Sequence, residues 1–152
     1  MNQLKWHDWL LIALSLVIAT ATAVFVIINY DKIPEKIPTN YDFQGNVTGY
    51  GSKSNVIVLL VMAFIMPVIT TVLQFFPQTW NMPTVKPQNV PQAMAITRKI
   101  IEGVTLAVTV LMAYLAITMT GLIPFTSTVL TLSTVAIVLI TAIGLIKYFK
   151  LK

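Results

Sequence analysis

The sequence predicts an all-α integral membrane protein with four transmembrane helices and an ordered extracytoplasmic loop between the first two. Of its 152 residues, 57% are hydrophobic and 10% are charged, whereas a soluble domain carries about a quarter charged residues. Four apolar runs also reach the roughly 20 residues that a helix needs to cross a bilayer. These runs lack the alternating pattern of barrel strands, and an open strand would leave backbone groups unpaired in lipid.

The four spans belong to a single membrane domain, which covers residues 1–152. They are predicted at residues 9–30, 56–76, 100–123 and 126–146. Ala21-Thr22-Ala23 imitates a signal-peptide cleavage site, but the apolar run continues beyond it to Tyr30. We therefore expect the first helix to be retained.

The distribution of basic residues predicts the orientation of the chain. With four spans, both termini and the Pro-rich loop at residues 77–97 lie on one side, and the loop at residues 31–55 lies on the other. The first side holds seven of the ten Lys and Arg residues: Lys5, Lys86, Arg98, Lys99, Lys147, Lys150 and Lys152. Because cytoplasmic loops are enriched in Lys and Arg, this side is predicted to be cytoplasmic. Aromatic residues at the span ends are typical of the membrane interface: Trp6, Trp9, Tyr30, Trp80 and Tyr148.

Small and hydroxyl residues recur along single faces of the spans, where they favour close helix packing. They are Ser15, Ala19 and Ala23 in the first span, Thr105, Thr109 and Ala113 in the third, and Thr134 and Thr141 in the fourth. We interpret them as ordinary helix contacts and not as a polar permeation path, since no charged residue lies in the middle third of a predicted span. Gln74 and Glu102 lie near span ends. Pro67 predicts a bend in the second span, because proline removes a backbone donor.

The residues that most catalytic or metal sites need are scarce. The chain has one histidine, His7, and no cysteine, so a zinc site lacks ligands. No Gly-rich phosphate loop or nucleophile–base pair is recognisable. We therefore expect neither an enzyme nor a bound metal or cofactor. The net charge of +5 comes from residues beside apolar runs, which indicates topology and attraction to the lipid bilayer rather than nucleic-acid binding.

The loop at residues 31–55 has the composition of a folded cap rather than a flexible linker, because it is rich in aromatic residues. Pro34 and Pro38 favour extended backbone. The following segment, NYDFQGNVTGYG, predicts a turn and a returning strand, with Asp42 and Gly45 suited to the turn. Ser52 or Ser54 is predicted to cap the second helix.

The segment IPEKIPTNYDFQGNVTGYGSKS resembles the DUF1648 family, the short domain that opens SdpI-type bacterial membrane immunity proteins. The resemblance lies in the proline pair, in Asn40-Tyr41-Asp42, in Gly45, and in the TGYGSK segment that ends at Lys53. Asn40 and Thr48 depart from the His and Asp of many members, which weakens a proton- or metal-linked role. The resemblance implies a multi-pass protein of the bacterial cytoplasmic membrane in a short, stand-alone form.

This resemblance implies a non-catalytic protein that recognises a secreted antimicrobial peptide or toxin at its outer face, for immunity or sensing. The expected contact residues are Asp31, Glu35, Asn40, Tyr41, Asp42, Phe43, Gly45, Tyr50 and Lys53. Acidic side chains would attract a cationic peptide, and aromatic rings would offer apolar faces. For each residue, the alternative is that it only folds and anchors the cap.

Two other functions remain open from the sequence. A four-helix unit can form a homodimer and act as a small transporter, channel or accessory subunit for an apolar or lipid-like solute. The absence of midspan charge argues against ion coupling. Alternatively, the basic middle loop, with Lys86, Arg98 and Lys99, can bind a cytoplasmic regulator.

Overall fold

The computed structural model describes residues 4–42 and 44–151. This part of the chain contains four α-helices that are long and apolar enough to cross a membrane. They are α1 (Trp6–Asn29), α2 (Asn55–Phe75), α3 (Val90–Met119) and α4 (Ser127–Phe149). The prediction of a four-helix membrane protein is therefore confirmed.

The helices run alternately up and down, which gives the bundle two distinct ends. One end carries a β-hairpin and the α3–α4 turn, and we call it the hairpin end. The other carries both termini and the α2–α3 connection, and we call it the terminal end. Helix α3 is central, because it packs against each of the other three helices.

The hairpin consists of two antiparallel strands, β1 (Lys36–Tyr41) and β2 (Val47–Ser52). Extended backbone around the proline pair and a turn near Gly45 are both present, as the sequence predicted. Ile33 and Ile37 are buried in an apolar cluster with Val26, Val56 and other helix residues. The hairpin therefore packs on the bundle as a cap. Ser54 lies at the N-cap position of α2, but its side chain makes no capping hydrogen bond.

Helix α3 extends beyond the predicted apolar span in one direction and stops short of it in the other. It begins at Val90, immediately before Pro91, because proline fits the first helical turn, where its missing N–H has no intrahelical partner. It ends at Met119, since Gly121 adopts a φ of 73° and so terminates the helix with a left-handed residue. The early start places Arg98 and Glu102 within a continuous helix.

The predicted packing faces are present in α1 and α3 but not throughout α4. Ser15, Ala19, Thr105 and Thr109 are buried. Thr134, by contrast, is exposed to the surroundings of the bundle, and its hydroxyl donates to the Leu130 carbonyl of its own helix. Most of α4 is similarly exposed, because α3 is the helix with which α4 makes most of its contacts.

The α2–α3 connection is irregular but attached to the bundle. Tyr148 is 3% exposed, and its hydroxyl donates to the Pro83 carbonyl at 2.6 Å. Asn89 donates to the Leu151 carbonyl, also at 2.6 Å. Tyr148 therefore holds this connection against α4, instead of serving as the exposed interfacial aromatic that its position in the sequence suggests.

Candidate functional site

The turn of the hairpin is built by Asp42. Its carboxylate accepts hydrogen bonds from the Asn46 backbone at 2.8 Å and from the Asn46 amide side chain at 2.9 Å. These bonds lower the pKa of Asp42, since they stabilise the ionised carboxylate. Gly45 supplies the positive φ of 90° that the turn needs. Both residues therefore have folding roles, which is the alternative interpretation that the sequence left open for them.

Tyr41 attaches the hairpin to the turn between α3 and α4. Its ring stacks on Phe125 with centroids 4.0 Å apart and an angle of 15° between the planes. Partial burial raises the pKa of the Tyr41 phenol, and interactions with Tyr114 and Tyr50 raise it further. Aromatic stacking contributes about 0.5–1.5 kcal/mol beyond area burial. Tyr41 thus anchors the hairpin.

Lys53 connects the end of the hairpin to its beginning. Its ammonium lies 2.6 Å from a carboxylate oxygen of Glu35 and 5.2 Å from the centre of the Tyr30 ring. The hydrogen bond with Glu35 is the main cause of the raised pKa of Lys53. The Lys53 backbone N–H also donates to the Glu35 carbonyl at 3.0 Å, so this pair closes the base of the hairpin.

The remaining predicted contact residues are Asp31, Asn40, Phe43 and Tyr50, and their exposure decides whether a partner can reach them. Tyr50 is 67% exposed, and Asp31 and Asn40 are also exposed. Phe43 lies outside the described residues. The exposed part of the hairpin therefore centres on β2, where Tyr50 presents an aromatic ring that the apolar cluster beneath the hairpin does not include.

A second polar cluster lies at the terminal end, and no pattern in the sequence predicts it. Asp8, Gln74, Arg98 and Glu102 are each at most 5% exposed. Asp8 accepts a hydrogen bond from the Lys5 backbone at 2.7 Å. It also lies 3.9 Å from an Arg98 guanidinium nitrogen.

Three different helices contribute to this cluster, which explains why the sequence did not reveal it. Asp8 is in the first turn of α1, Gln74 is in the last turn of α2, and Arg98 and Glu102 are on α3. The available sequence signal was the four-residue spacing of Arg98 and Glu102, which places them on one helix face. No spacing within the chain indicates that α1 and α2 cover that face.

The four apolar helices and their hairpin cap define the class: a small, multi-pass α-helical membrane protein with an ordered loop between its first two helices. Residues 17–71, which run from α1 through the hairpin into α2, match the family model of a domain of unknown function, DUF1648. The match covers 55 of the 152 residues, and it confirms the resemblance to DUF1648 that the sequence indicates for this segment. Comparisons with curated proteins and with solved structures found no match.

Proposed function

We propose that the protein is a non-catalytic membrane receptor that binds an extended, secreted peptide on its hairpin, for protection or sensing. The observation that carries the proposal is an ordered hairpin with an exposed strand, β2, whose Tyr50 is 67% exposed. The proposal takes the hairpin end to face the cell exterior, in agreement with the distribution of Lys and Arg in the sequence.

The strand arrangement supports a specific mode of binding. Within the described residues the sheet has two strands, and β2 is largely exposed along its length. Unpaired backbone groups at a sheet edge can accept a further strand, with side-chain contacts adding selectivity. An extended peptide would therefore add beside β2, and the Tyr50 ring would contact its apolar side chains.

The charges of the hairpin have a smaller role in this proposal than the sequence suggested. Asp42 is engaged by Asn46, and Glu35 pairs with Lys53. Glu35 is nevertheless 81% exposed at its side chain and Asp31 is exposed. These two carboxylates supply the attraction for a cationic peptide, while the backbone edge and Tyr50 supply most of the contact.

Protection of a peptide-sensitive bacterium tests the proposal. Cells that express the wild-type chain would be exposed to a panel of secreted antimicrobial peptides, with membrane protein levels measured in parallel. We expect protection against at least one peptide, and we expect Tyr50→Ser to lose it at an unchanged protein level. Trp6→Ser is the matched control, because Trp6 is an exposed aromatic (75%) at the terminal end. Unchanged killing across the panel, or full protection by Tyr50→Ser, would contradict the proposal.

A groove between α3 and α4 favours a second candidate function, the handling of a lipid-like solute. The water-accessible volume of the groove is about 440 Å³. Its apolar lining includes Ile100, Leu139 and Ile143, and Lys99 and Lys147 lie along the same groove. Transfer of a fluorescent anionic lipid between the leaflets of proteoliposomes tests this candidate, and a rate equal to that of empty liposomes would reject it.

A cytoplasmic regulator is the least supported partner, because the basic surface available to it is smaller than the sequence suggested. Arg98 is 5% exposed and lies near Asp8, whereas Lys86 and Lys99 are exposed. At the middle loop, a regulator would therefore contact these two lysines. Co-purification from detergent extracts, compared between wild type and a Lys86→Glu, Lys99→Glu variant, tests this partner.

A further inference from the structure

A small polar cavity lies between α1, α2 and α3 near the terminal end of the bundle. Its water-accessible volume is about 10 Å³, which is close to the minimum that holds one water molecule. The polar residues of its lining are Ser15, Thr70, Thr71, Gln74, Glu102 and Thr105. The space therefore admits one particle of about the size of a water molecule.

The hydroxyl groups around this cavity can offer only their oxygen lone pairs to a ligand inside it. Ser15 donates its single hydroxyl hydrogen to the Leu11 carbonyl at 3.0 Å, and Thr105 donates to the Ile101 carbonyl at 2.7 Å. Thr70 and Thr71 likewise donate to backbone carbonyls of α2. A hydroxyl has one hydrogen and two lone pairs, so the lone pairs of these four oxygens are what remains for a ligand.

The two other polar groups also present oxygen. Glu102 is 3% exposed. Neither of its carboxylate oxygens accepts a hydrogen bond from an N–H or hydroxyl donor within the described residues, and the carboxyl group of Asp8 lies within hydrogen-bond range of it. The side-chain oxygen of Gln74, which is also 3% exposed, likewise accepts no hydrogen bond from the described residues. A buried carboxylate without such a donor is strongly unfavourable, and within a membrane such a group is a functional candidate by default.

The charged residues near the cavity determine which ligand charge the cavity favours. Asp8 on α1 and Arg98 and Lys99 on α3 all act electrostatically on Glu102. Lys99 is exposed, so the buried charges are the two carboxylates and one guanidinium. When both carboxyls are ionised, these buried groups of the described residues carry a net charge of −1, which one monovalent cation neutralises and a divalent cation exceeds. His7 contacts Asp8 at 3.1 Å, and α2 contributes the uncharged Gln74.

We propose that this cavity is a Na⁺ site, in which Glu102 is the charged ligand and Gln74, Ser15, Thr70, Thr71 and Thr105 offer neutral oxygens. Hard cations bind oxygen ligands of this kind. A water molecule would find many acceptors and few donors here, whereas a cation needs only lone pairs. The site goes beyond peptide recognition, and it gives the bundle a bound ion that joins three helices.

Binding of radioactive Na⁺ to the purified, full-length protein tests this site. Scintillation-proximity measurements at pH 8 would use choline chloride to keep the ionic strength constant. We expect saturable binding of one Na⁺ per chain, with K⁺ competing weakly because the cavity is small. Glu102→Gln should abolish binding, and because it removes a buried charge it should not prevent folding. A wild-type protein that binds no Na⁺, including one whose Glu102 holds a proton instead, would overturn the proposal.

Two threonines on the same face of α3 give a matched pair of variants. Thr105 and Thr109 are both buried and both donate to the carbonyl four residues before them, but Thr105 lines the cavity and Thr109 does not. Thr105→Val should weaken Na⁺ binding by about tenfold or more, and Thr109→Val should leave it within about twofold. Equal effects of the two variants, or retained binding by Glu102→Gln, would contradict the site. Tyr50→Ser should leave Na⁺ binding unchanged, which separates this test from that of peptide recognition.

Discussion

Ile37 offers the clearest test of how the hairpin is held on the bundle. Its side chain is 0% exposed and belongs to the apolar cluster that includes Val26 of α1, Val56 of α2 and Ala116 of α3. Replacement by alanine removes three carbon atoms from this cluster. At about 0.8 kcal/mol for each buried carbon, the transfer loss is about 2.4 kcal/mol. If the cavity left by this substitution does not collapse, the total destabilisation rises toward about 4–5 kcal/mol.

Amide hydrogen exchange in lipid nanodiscs measures the effect of Ile37→Ala on the opening of the hairpin. Because about 1.4 kcal/mol corresponds to a factor of ten, exchange of the strand amides should accelerate by at least about 50-fold. Val47→Ala is the matched control, since Val47 lies on the same hairpin but is 37% exposed. Its effect should stay within about 0.5 kcal/mol. Unchanged protection in Ile37→Ala, with a folded bundle, would refute the argument that Ile37 holds the hairpin.

Three further predictions follow from local geometry. Gly45→Ala should lower the free energy of unfolding by about 1 kcal/mol in denaturation experiments, because alanine is strained at a φ of 90°; an unchanged value would contradict the turn. The pKa of Asp42 is lowered by Asn46, so its stabilisation is complete above the unfolded pKa of about 3.9 and disappears as the pH falls through the lower folded pKa. The Asn46 amide resonance should therefore titrate with a midpoint below about 3.9, and a midpoint above it would be inconsistent. Gly144→Ala should destabilise the α3–α4 pair by about 1–3 kcal/mol, because the new methyl group collides with the Ile100 side chain; an unchanged thermal unfolding midpoint would disprove this close packing.

The hairpin was predictable because its signals are local in sequence. Pro38 restricts the backbone to extended conformations, and Asp42 and Gly45 form a turn from side-chain and backbone preferences alone. The sequence could not show which residues of the hairpin are exposed, since that depends on contacts with distant segments. Tyr41 stacks on Phe125 of the α3–α4 turn, and no pattern near Tyr41 indicates that partner.

The buried cluster was missed for a related physical reason. The apolar span predicted at residues 100–123 places Glu102 near its end, where charged groups reach the interface easily. Helix α3 instead begins at Val90, and α1 and α2 cover the face that carries Glu102. The error at Thr134 has the opposite cause. Its spacing predicts helix packing, but α4 packs mainly on α3 and leaves Thr134 exposed.

Cysteine labelling in intact cells tests the central claim most directly, because the chain contains no cysteine of its own. A maleimide that cannot cross the membrane should modify Tyr50→Cys from outside the cell. Ile37→Cys should be modified far more slowly than Tyr50→Cys in the native protein, because position 37 is buried under the hairpin. Lys99→Cys should react only after the membrane is permeabilised. Labelling of Lys99→Cys but not Tyr50→Cys in intact cells, or equal labelling at positions 37 and 50, would contradict an ordered cap at the outer face.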